Sequence, residues 1–232
     1  LPHTGVRGQG IHRMLRRGRD ELTIWAPEER RIGYAYRVNA DEGKPTELAV
    51  TIAPPPEVTM GGIANVTHDV DKFSVAGGLR GTPIELVACE TVDIEVPANA
   101  EMIIEGIIRP DELVPEAPFG EFPGCYSGEQ ETPVVEVTAI TRREDAMYHT
   151  ILTGFPPNEN NFMNWVPRSA TVETDAERAV PAVDQATVRC DENGGNGMYE
   201  AFVSIDKRLD GDPWNVVCSV LGGRSQAKYC VV

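Results

Sequence analysis

The stretch Glu101-Met102-Ile103-Ile104-Glu105-Gly106-Ile107-Ile108 decides the fold that this sequence predicts. It is rich in the β-branched residue isoleucine, which is favoured in strands. Similar runs lie close to it on both sides, at residues 84–89, 92–96, 133–140 and 147–152. Strands with short connections are typical of antiparallel pairing, so an antiparallel barrel or curled sheet is the predicted core.

Weaker patterns extend this core toward both ends of the chain. Further strands are predicted upstream, at residues 10–15, 22–25 and 47–53. Helices are predicted in the same region, at residues 28–39, 57–64 and 72–79. Residues 154–161, rich in Pro and Asn, indicate a linker. One helix and three strands are predicted beyond it, at residues 164–179, 186–190, 199–205 and 214–221. We therefore predict an α+β chain with one domain at residues 1–155 and a second α+β unit at residues 156–232.

Composition argues against several classes of partner. The 232 residues carry a net charge of −15, whereas binding to nucleic acid or to an anionic membrane requires a basic face. No apolar run approaches the roughly 18 residues that a membrane span needs, and no signal-peptide pattern precedes the first strand. Five cysteines without a Cys-x-x-Cys pair are typical of reduced thiols, so we expect a cytoplasmic protein. The four dispersed histidines form no zinc motif.

Both ends of the sequence resemble segments from the middle of a longer chain. Residues 1–5 are typical of the middle of a loop, and residues 228–232 form a β-type run with no turn after it. We expect the chain to be an internal segment of a longer protein.

Two glutamates five residues apart, Glu116 and Glu121, lie in the segment Pro115-Glu116-Ala117-Pro118-Phe119-Gly120-Glu121-Phe122-Pro123-Gly124. Three prolines and two glycines predict a loop here, because proline fits neither a helix interior nor a central strand. Two carboxylates in one poorly solvated place have their pKa values pushed apart, which suits acid–base chemistry. On spacing alone, a surface loop whose glutamates face water is the favoured interpretation, because glutamate is common and usually solvated.

Several segments together resemble the UbiD family of decarboxylases (3-octaprenyl-4-hydroxybenzoate carboxy-lyase-like), which use prenylated FMN. The matching blocks occur in the family's order, at residues 10–14, 85–98, 101–106, 116–121 and 126–127. The resemblance implies a central split β-barrel of the flavin-reductase type over residues 10–153, followed by the start of a C-terminal α/β domain.

The resemblance also implies a catalytic set of Arg13, Glu116 and Glu121. In this family the modified flavin accepts the electron density left when carbon dioxide departs, and Glu121 is similar to the residue that donates the replacing proton. Arg13 keeps its charge and can hold a carboxylate, with Glu116 pairing to it and setting its geometry. The implied cofactor-binding residues are Gly10, Ile11, Arg13 and Glu90.

Glu90 resembles the family's acidic ligand to a divalent ion, Mn²⁺ or Mg²⁺, with K⁺ as a possible companion. The chain departs from the family around this site. Residues 8–10 are Gly-Gln-Gly where an asparagine is expected, and residues 28–31 are Glu-Glu-Arg-Arg where a histidine is expected. Two alternatives stay open: one of these glutamates replaces the imidazole as ligand, or Arg31 contacts the flavin phosphate directly.

The resemblance favours a non-oxidative carboxy-lyase acting on an aromatic or α,β-unsaturated carboxylic acid. A flavin prenyltransferase would supply its cofactor, a homo-oligomer is expected, and the segment by itself is expected to be inactive. The alternative is a non-catalytic UbiD-like scaffold subunit of a multi-subunit carboxylase, which the missing Asn and His favour and the retained catalytic set disfavours. A split-barrel flavin oxidoreductase is a third possibility, since fold alone does not fix chemistry.

Overall fold

The computed structural model describes residues 1–116, 118–121 and 124–232. The chain divides into two compact units. The first comprises Leu1–Pro118 and Gly128–Thr150, and the second comprises Phe119–Ser127 and Ile151–Val232. The domain boundary after residue 155 stays a prediction. In the described part of the chain no helix is long and apolar enough to cross a membrane.

The first unit is built on a five-stranded antiparallel sheet of order β1-β2-β7-β6-β3. Its strands are β1 (Met14–Arg16), β2 (Glu21–Ile24), β3 (Thr46–Ile52), β6 (Met102–Glu116) and β7 (Gln130–Arg142). The predicted antiparallel core is therefore present. Within the described residues the sheet is open, with β1 and β3 as its outer strands, and the split barrel is not confirmed.

The long β6–β7 hairpin bends at a β-bulge between Glu105 and Gly106. A Cβ atom at Gly106 would lie 2.7 Å from the carbonyl oxygen of Glu136 and 2.7 Å from a methyl carbon of Val135. Only glycine therefore lets the two strands approach this closely, and the bulge re-aims the neighbouring side chains as bulges commonly do.

Three helices and a second hairpin complete this unit. They are α1 (Arg31–Asp41), α2 (Pro56–Ile63), α3 (Lys72–Arg80), β4 (Leu86–Ala88) and β5 (Glu95–Pro97). One buried cluster joins the main sheet through Ile24, Leu48, Ile108 and Val135. A second, smaller cluster lies under the β4–β5 hairpin. The predicted helices are confirmed, and their termini differ by up to three residues from the predicted ones.

The second unit packs two helices on a three-stranded sheet of order β10-β9-β8. Its elements are α4 (Glu159–Ala179), β8 (Val183–Val188), β9 (Glu200–Ile205), α5 (Asp212–Gly222) and β10 (Tyr229–Val231). Helix α4 begins earlier than predicted, because Asn158 and Asn161 form a reciprocal capping box. Part of the predicted linker is thus a helix start.

Two predicted strands are wrong. Residues 147–152 lie in no strand. Residues 214–221 lie in α5, where Pro213 occupies the first turn and the fully buried Val216 and Val220 are one helical turn apart. A short continuous apolar run does not distinguish a strand from a buried helix, and the proline and the spacing of four decide for the helix.

The predicted loop at residues 115–124 is also partly wrong. Pro115 and Glu116 are the last residues of β6 and pair with Glu131 and Gln130 of β7. Strand β3 pairs with β6 only between Met102 and Ile108, so the other side of β6 carries no partner near Pro115 among the described strands. An edge position tolerates the missing N–H of proline, which explains why the strand continues there.

Candidate functional site

The buried ion pair of Arg13 and Glu116 is the centre of the candidate site. Arg13 directly precedes β1, and Glu116 ends β6. Both Nε and Nη2 of Arg13 donate to Oε2 of Glu116, at 3.0 and 2.7 Å. The Glu116 side chain is fully buried and that of Arg13 is 14% exposed. Charged groups buried to this degree require a partner, and the structure supplies one for the carboxylate.

Three neighbours surround this pair, and the sequence analysis missed all of them. Thr23 donates through Oγ1 to Oε1 of Glu116 at 3.2 Å. The guanidinium carbon of Arg13 lies 5.1 Å from the ring centroid of Trp25. The indole N–H of Trp25 donates to Oε1 of Gln130 at 2.8 Å. Because side chains alternate between the two faces of a strand, Thr23 and Trp25 lie on the same face, and the sequence alone could have shown that they are neighbours. Their partners, Glu116 and Gln130, are distant in sequence, and these contacts depend on the strand order.

Glu121 lies in the second unit, and its side chain is partly exposed. Its backbone N–H donates to the carbonyl of Cys125 at 2.8 Å, and its carbonyl accepts from Gly124 at 2.9 Å. Gly124 has a φ of +85°, which favours glycine. Within the quoted segment, Ala117, Phe122 and Pro123 lie outside the described residues. The predicted joint action of Glu121 with Arg13 and Glu116 stays a prediction.

Glu90 is exposed and lies on the connection after β4. Its backbone N–H donates to Oε1 of Glu105 at 2.9 Å, while the N–H and hydroxyl of Thr91 each donate to Oε2 at 2.6 Å. Burial raises the pKa of Glu105, but these hydrogen bonds outweigh it and lower the pKa below its ordinary value. The buried carboxylate of Glu105 therefore fixes the backbone from which the Glu90 side chain projects.

A groove of about 240 Å³ lies beside this turn, between the β4–β5 hairpin and β6. Its polar lining includes Cys89, Glu90, Glu101 and Arg142. Burial, with smaller contributions from the charges of Glu105 and Glu90, raises the pKa of Cys89 to about 11. Cys89 is therefore a thiol at neutral pH and an unsuitable nucleophile.

The segment from Gln9 to His12 carries the two predicted flavin-binding residues Gly10 and Ile11. A Cβ atom at Gly10 would lie 2.7 Å from Nε2 of His12, and the Ile11 side chain is 55% exposed. Gln9 donates through Nε2 to the carbonyl of Val58 at 3.0 Å, while its buried Oε1 has no hydrogen-bond partner within the described residues. An orphaned acceptor beside an exposed apolar side chain fits a polar, aromatic ligand such as a flavin.

His12 has a structural contact. Its Nδ1 donates to the carbonyl of Trp25 at 3.0 Å. Burial is the largest effect and lowers the pKa of His12; the hydrogen bond to Trp25 raises it in part, and the nearby charges of Arg30 and Lys72 add smaller lowering effects. His12 is therefore neutral at physiological pH and holds the segment before β1 against the end of β2.

The metal prediction gains no support from the geometry. Arg31 is buried and donates to the carbonyls of Arg7, Thr67 and Val70 at 3.2, 2.8 and 2.9 Å. These bonds fix the loop before α3 and disfavour the alternative in which Arg31 contacts a phosphate. Within the described residues no three His, Cys, Asp or Glu side chains are grouped to hold a metal ion. The role of Glu90 as metal ligand stays a prediction, and we derive no step through a metal.

Comparisons with known proteins assign the family. A family model described as "3-octaprenyl-4-hydroxybenzoate carboxy-lyase Rift-related domain", that of UbiD, matches residues 1–156. The chain belongs to the UbiD family. It is 34% identical to anhydromevalonate phosphate decarboxylase of Methanothermobacter thermautotrophicus over 233 residues, which cover 100% of this chain and 53% of that protein. An uncharacterized protein of Aquifex aeolicus is 33% identical over 95% of this chain and 45% of its own length.

Solved structures of UbiD-class enzymes are similar to this chain throughout. The structure of HmfF from Pelotomaculum thermopropionicum, in complex with prFMN, matches with a TM-score of 0.89 and 35% identity over 99% of this chain and 52% of that one. Apo 3,4-dihydroxybenzoic acid decarboxylase (AroY) of Klebsiella pneumoniae matches with a TM-score of 0.83 and 28% identity, over 95% and 47%. The chain thus spans about half the length of these relatives.

Proposed function

We propose that this chain is part of an enzyme that catalyses the reversible, non-oxidative decarboxylation of an aromatic or α,β-unsaturated carboxylic acid with prenylated FMN. The observation that carries the proposal is the buried Arg13–Glu116 pair, placed beside the segment of Gly10 and Ile11. The HmfF structures contain prFMN or FMN, which supports a flavin as the cofactor.

The pair suits the binding of a carboxylate. Glu116 takes two of the five N–H groups of Arg13 and holds the guanidinium in one orientation. A guanidinium fixed in this way presents its charge to a substrate carboxylate without losing further rotational freedom on binding. Removing Glu116 would leave a charge almost buried, which costs about 3–5 kcal/mol in comparable pairs. Such a costly arrangement is typical of a functional site.

The reaction requires one bond to break and one to form. The bond between the substrate carbon and its carboxyl group breaks, carbon dioxide leaves, and the electron pair stays on the substrate. Prenylated FMN, when bound, supplies the electron sink for that pair. Arg13 orients the carboxylate before it leaves, and Glu121 then delivers a proton to the carbon and closes the balance.

The finer expectations belong to the same proposal. They are a split β-barrel in the complete protein, a cytoplasmic homo-oligomer, and supply of the cofactor by a flavin prenyltransferase. A divalent ion at Glu90, with or without K⁺, is the expectation that the geometry supports least, because the described residues offer no grouped ligands.

A non-catalytic scaffold subunit is the second candidate. The hydrogen bonds of Arg31 to backbone carbonyls favour it, because they disfavour a contact of Arg31 with a flavin phosphate. The buried Arg13–Glu116 pair favours the enzyme, because a scaffold gains nothing from a costly buried charge pair.

The test uses the full-length protein co-expressed with a flavin prenyltransferase. Purified protein is incubated with a panel of cinnamic and hydroxybenzoic acids, and release of carbon dioxide is measured per bound flavin. Glu121→Gln is expected to lower turnover by about 100-fold or more while flavin binding persists, since general acids typically contribute that much. Glu129→Gln is the matched control, because this glutamate follows in the same stretch of sequence and is exposed.

Two results would contradict the enzyme proposal. Undiminished turnover in Glu121→Gln would remove the assigned proton donor. A full-length protein that never binds flavin, yet is required for the activity of a partner subunit, would establish the scaffold function.

A further inference from the structure

We propose that Thr23 and Trp25 are positioning residues that hold the Arg13–Glu116 pair in a single geometry; the inference rests on the proposed function for its catalytic consequence only. Neither side chain carries a group that titrates near neutral pH. Both approach the pair from the strand next to Arg13, and both contacts are absent from the sequence motifs that pointed to the pair.

Thr23 fixes the carboxylate plane of Glu116. The two donors of Arg13 both converge on Oε2, so they leave rotation about the terminal torsion of the glutamate poorly determined. Thr23, only 2% exposed, donates to the other oxygen, Oε1. A carboxylate held through both oxygens has one orientation, and the direction of the guanidinium follows from it.

Trp25 holds the guanidinium from its flat side. In the β1–β2 ladder Met14 pairs with Ile24, so Arg13 and Trp25 are the next opposed residues. The backbone N–H of Trp25 donates to the carbonyl of Arg13 at 3.2 Å. Residues directly opposite in antiparallel strands have side chains in contact range. The indole face therefore meets the Arg13 guanidinium. A positive charge over the face of an aromatic ring is attracted to it, so this cation–π contact is favourable.

The indole is itself held in place. Its N–H donates to Gln130, and Gln130 is the β7 residue opposed to Glu116 at the end of β6. The contacts therefore close a ring, from Arg13 to Glu116, across the ladder to Gln130, on to Trp25 and back to Arg13. A residue that moves must displace its neighbours, so the ring pre-organises the charge that is to meet the substrate.

Loss of this support should lower the rate more than it weakens binding. A displaced guanidinium still attracts a carboxylate, but the reacting geometry is populated less often. Misplacement by about 1 Å can cost on the order of 100-fold in rate. We expect kcat per bound flavin to fall by about 10-fold in Thr23→Val and in Trp25→Leu, with KM changed by less than about threefold.

The experiment compares graded variants of the full-length protein. Thr23→Val keeps the shape and removes the hydroxyl, whereas Thr23→Ser keeps the hydroxyl. Trp25→Phe keeps a ring without the N–H, whereas Trp25→Leu removes both. Thr46→Val is the matched control, because Thr46 is a buried threonine of the same sheet whose hydroxyl bonds to Asn39 and does not contact Glu116.

A second readout does not depend on activity. Phenylglyoxal modifies accessible guanidinium groups, and mass spectrometry follows the modification of Arg13 against the exposed Arg109 as internal reference. Modification of Arg13 should be at least about fivefold faster in Thr23→Val and Trp25→Leu, near the wild-type rate in Thr23→Ser and Thr46→Val, and intermediate in Trp25→Phe.

Arg13 modification within about twofold of wild type in both Thr23→Val and Trp25→Leu would overturn the proposal. Faster modification with unchanged kcat per flavin would also overturn it, because the held geometry would then have no catalytic value. If the wild-type protein decarboxylates none of the acids, the proposed function fails, while the modification rates still decide whether Thr23 and Trp25 hold the pair.

Discussion

Replacement of Glu105 by glutamine tests how the turn that carries Glu90 is held. The buried carboxylate accepts from the backbone N–H groups of Glu90 and Thr91 and from the Thr91 hydroxyl. Glutamine replaces one acceptor oxygen by an NH₂ group, so at least one of these bonds is lost and a donor then faces a donor. Since a hydrogen bond to a charged group contributes about 1.5–3 kcal/mol, we expect the free energy of local opening to fall by about 2–3 kcal/mol.

Hydrogen exchange at the amides of Glu90 and Thr91 measures this local opening. At about 1.4 kcal/mol per factor of ten, exchange should become roughly 30- to 150-fold faster in Glu105→Gln. Glu112→Gln is the control on the same strand, because its carboxylate is 42% exposed and forms a long ion pair with Arg17, at 3.6 Å. A surface pair of this kind contributes about 0–1 kcal/mol, so exchange in the control should stay close to wild type.

The same turn should respond to pH in a defined direction. The pKa of Glu105 lies below its ordinary value near 4.5, so the folded carboxyl binds its proton less readily than the unfolded one. The stability that the ionised Glu105 carboxylate gives to the turn is therefore complete above the ordinary pKa. It is lost as pH falls through the lower pKa of the folded state. After correction for the intrinsic pH dependence of amide exchange, the wild-type amide of Glu90 should lose protection from hydrogen exchange in this acidic range. The same amide in Glu105→Gln should show no such loss. Equal exchange in both proteins at neutral pH would refute the reasoning.

Two further predictions concern packing and thiol chemistry. Gly106→Ala should lower the free energy of unfolding by about 1–3 kcal/mol, because the new Cβ would lie 2.7 Å from the carbonyl oxygen of Glu136. Gly78→Ala in α3 should raise the free energy of unfolding by up to about 1 kcal/mol, because a Cβ at Gly78 meets open space. Urea unfolding checks both, and equal stability of the two variants would contradict the assigned bulge. Cys89, whose pKa burial raises to about 11, should react with iodoacetamide at pH 8 at least about tenfold more slowly than the exposed Cys218; comparable rates in mass spectrometry would contradict its assigned environment.

The type of most elements could be predicted because it depends on neighbouring residues. Runs rich in β-branched residues around residues 101–108 and 133–140 predicted β6 and β7, and both strands are present, longer than predicted. Where neighbouring residues allow two structures, the prediction failed. The apolar run of α5 fits a strand or a buried helix, and only packing of Val216 and Val220 in the core of the second unit selects the helix.

Proline shows how tertiary context changes a local rule. Pro115 argued for a loop because a central strand needs every N–H. Among the described strands, β6 is central only where β3 accompanies it, up to Ile108, and its last residues pair with β7 alone. Which part of a strand is central is a property of the assembled sheet, and no pattern within residues 115–124 contains it.

The sequence by itself determined that Arg13, Glu116, Glu121 and Glu90 are the residues to examine, through motifs whose order matched a family that the comparisons confirm. The resemblance also implied that Glu116 pairs with Arg13, and the two side chains are hydrogen-bonded in the structure. Only the tertiary structure decided that Glu116 is fully buried and that Thr23, Trp25 and Gln130 surround the pair. The physical reason is distance along the chain. Glu116 lies 103 residues from Arg13 and 93 from Thr23, so their contacts depend on strand order and register, which no local propensity encodes.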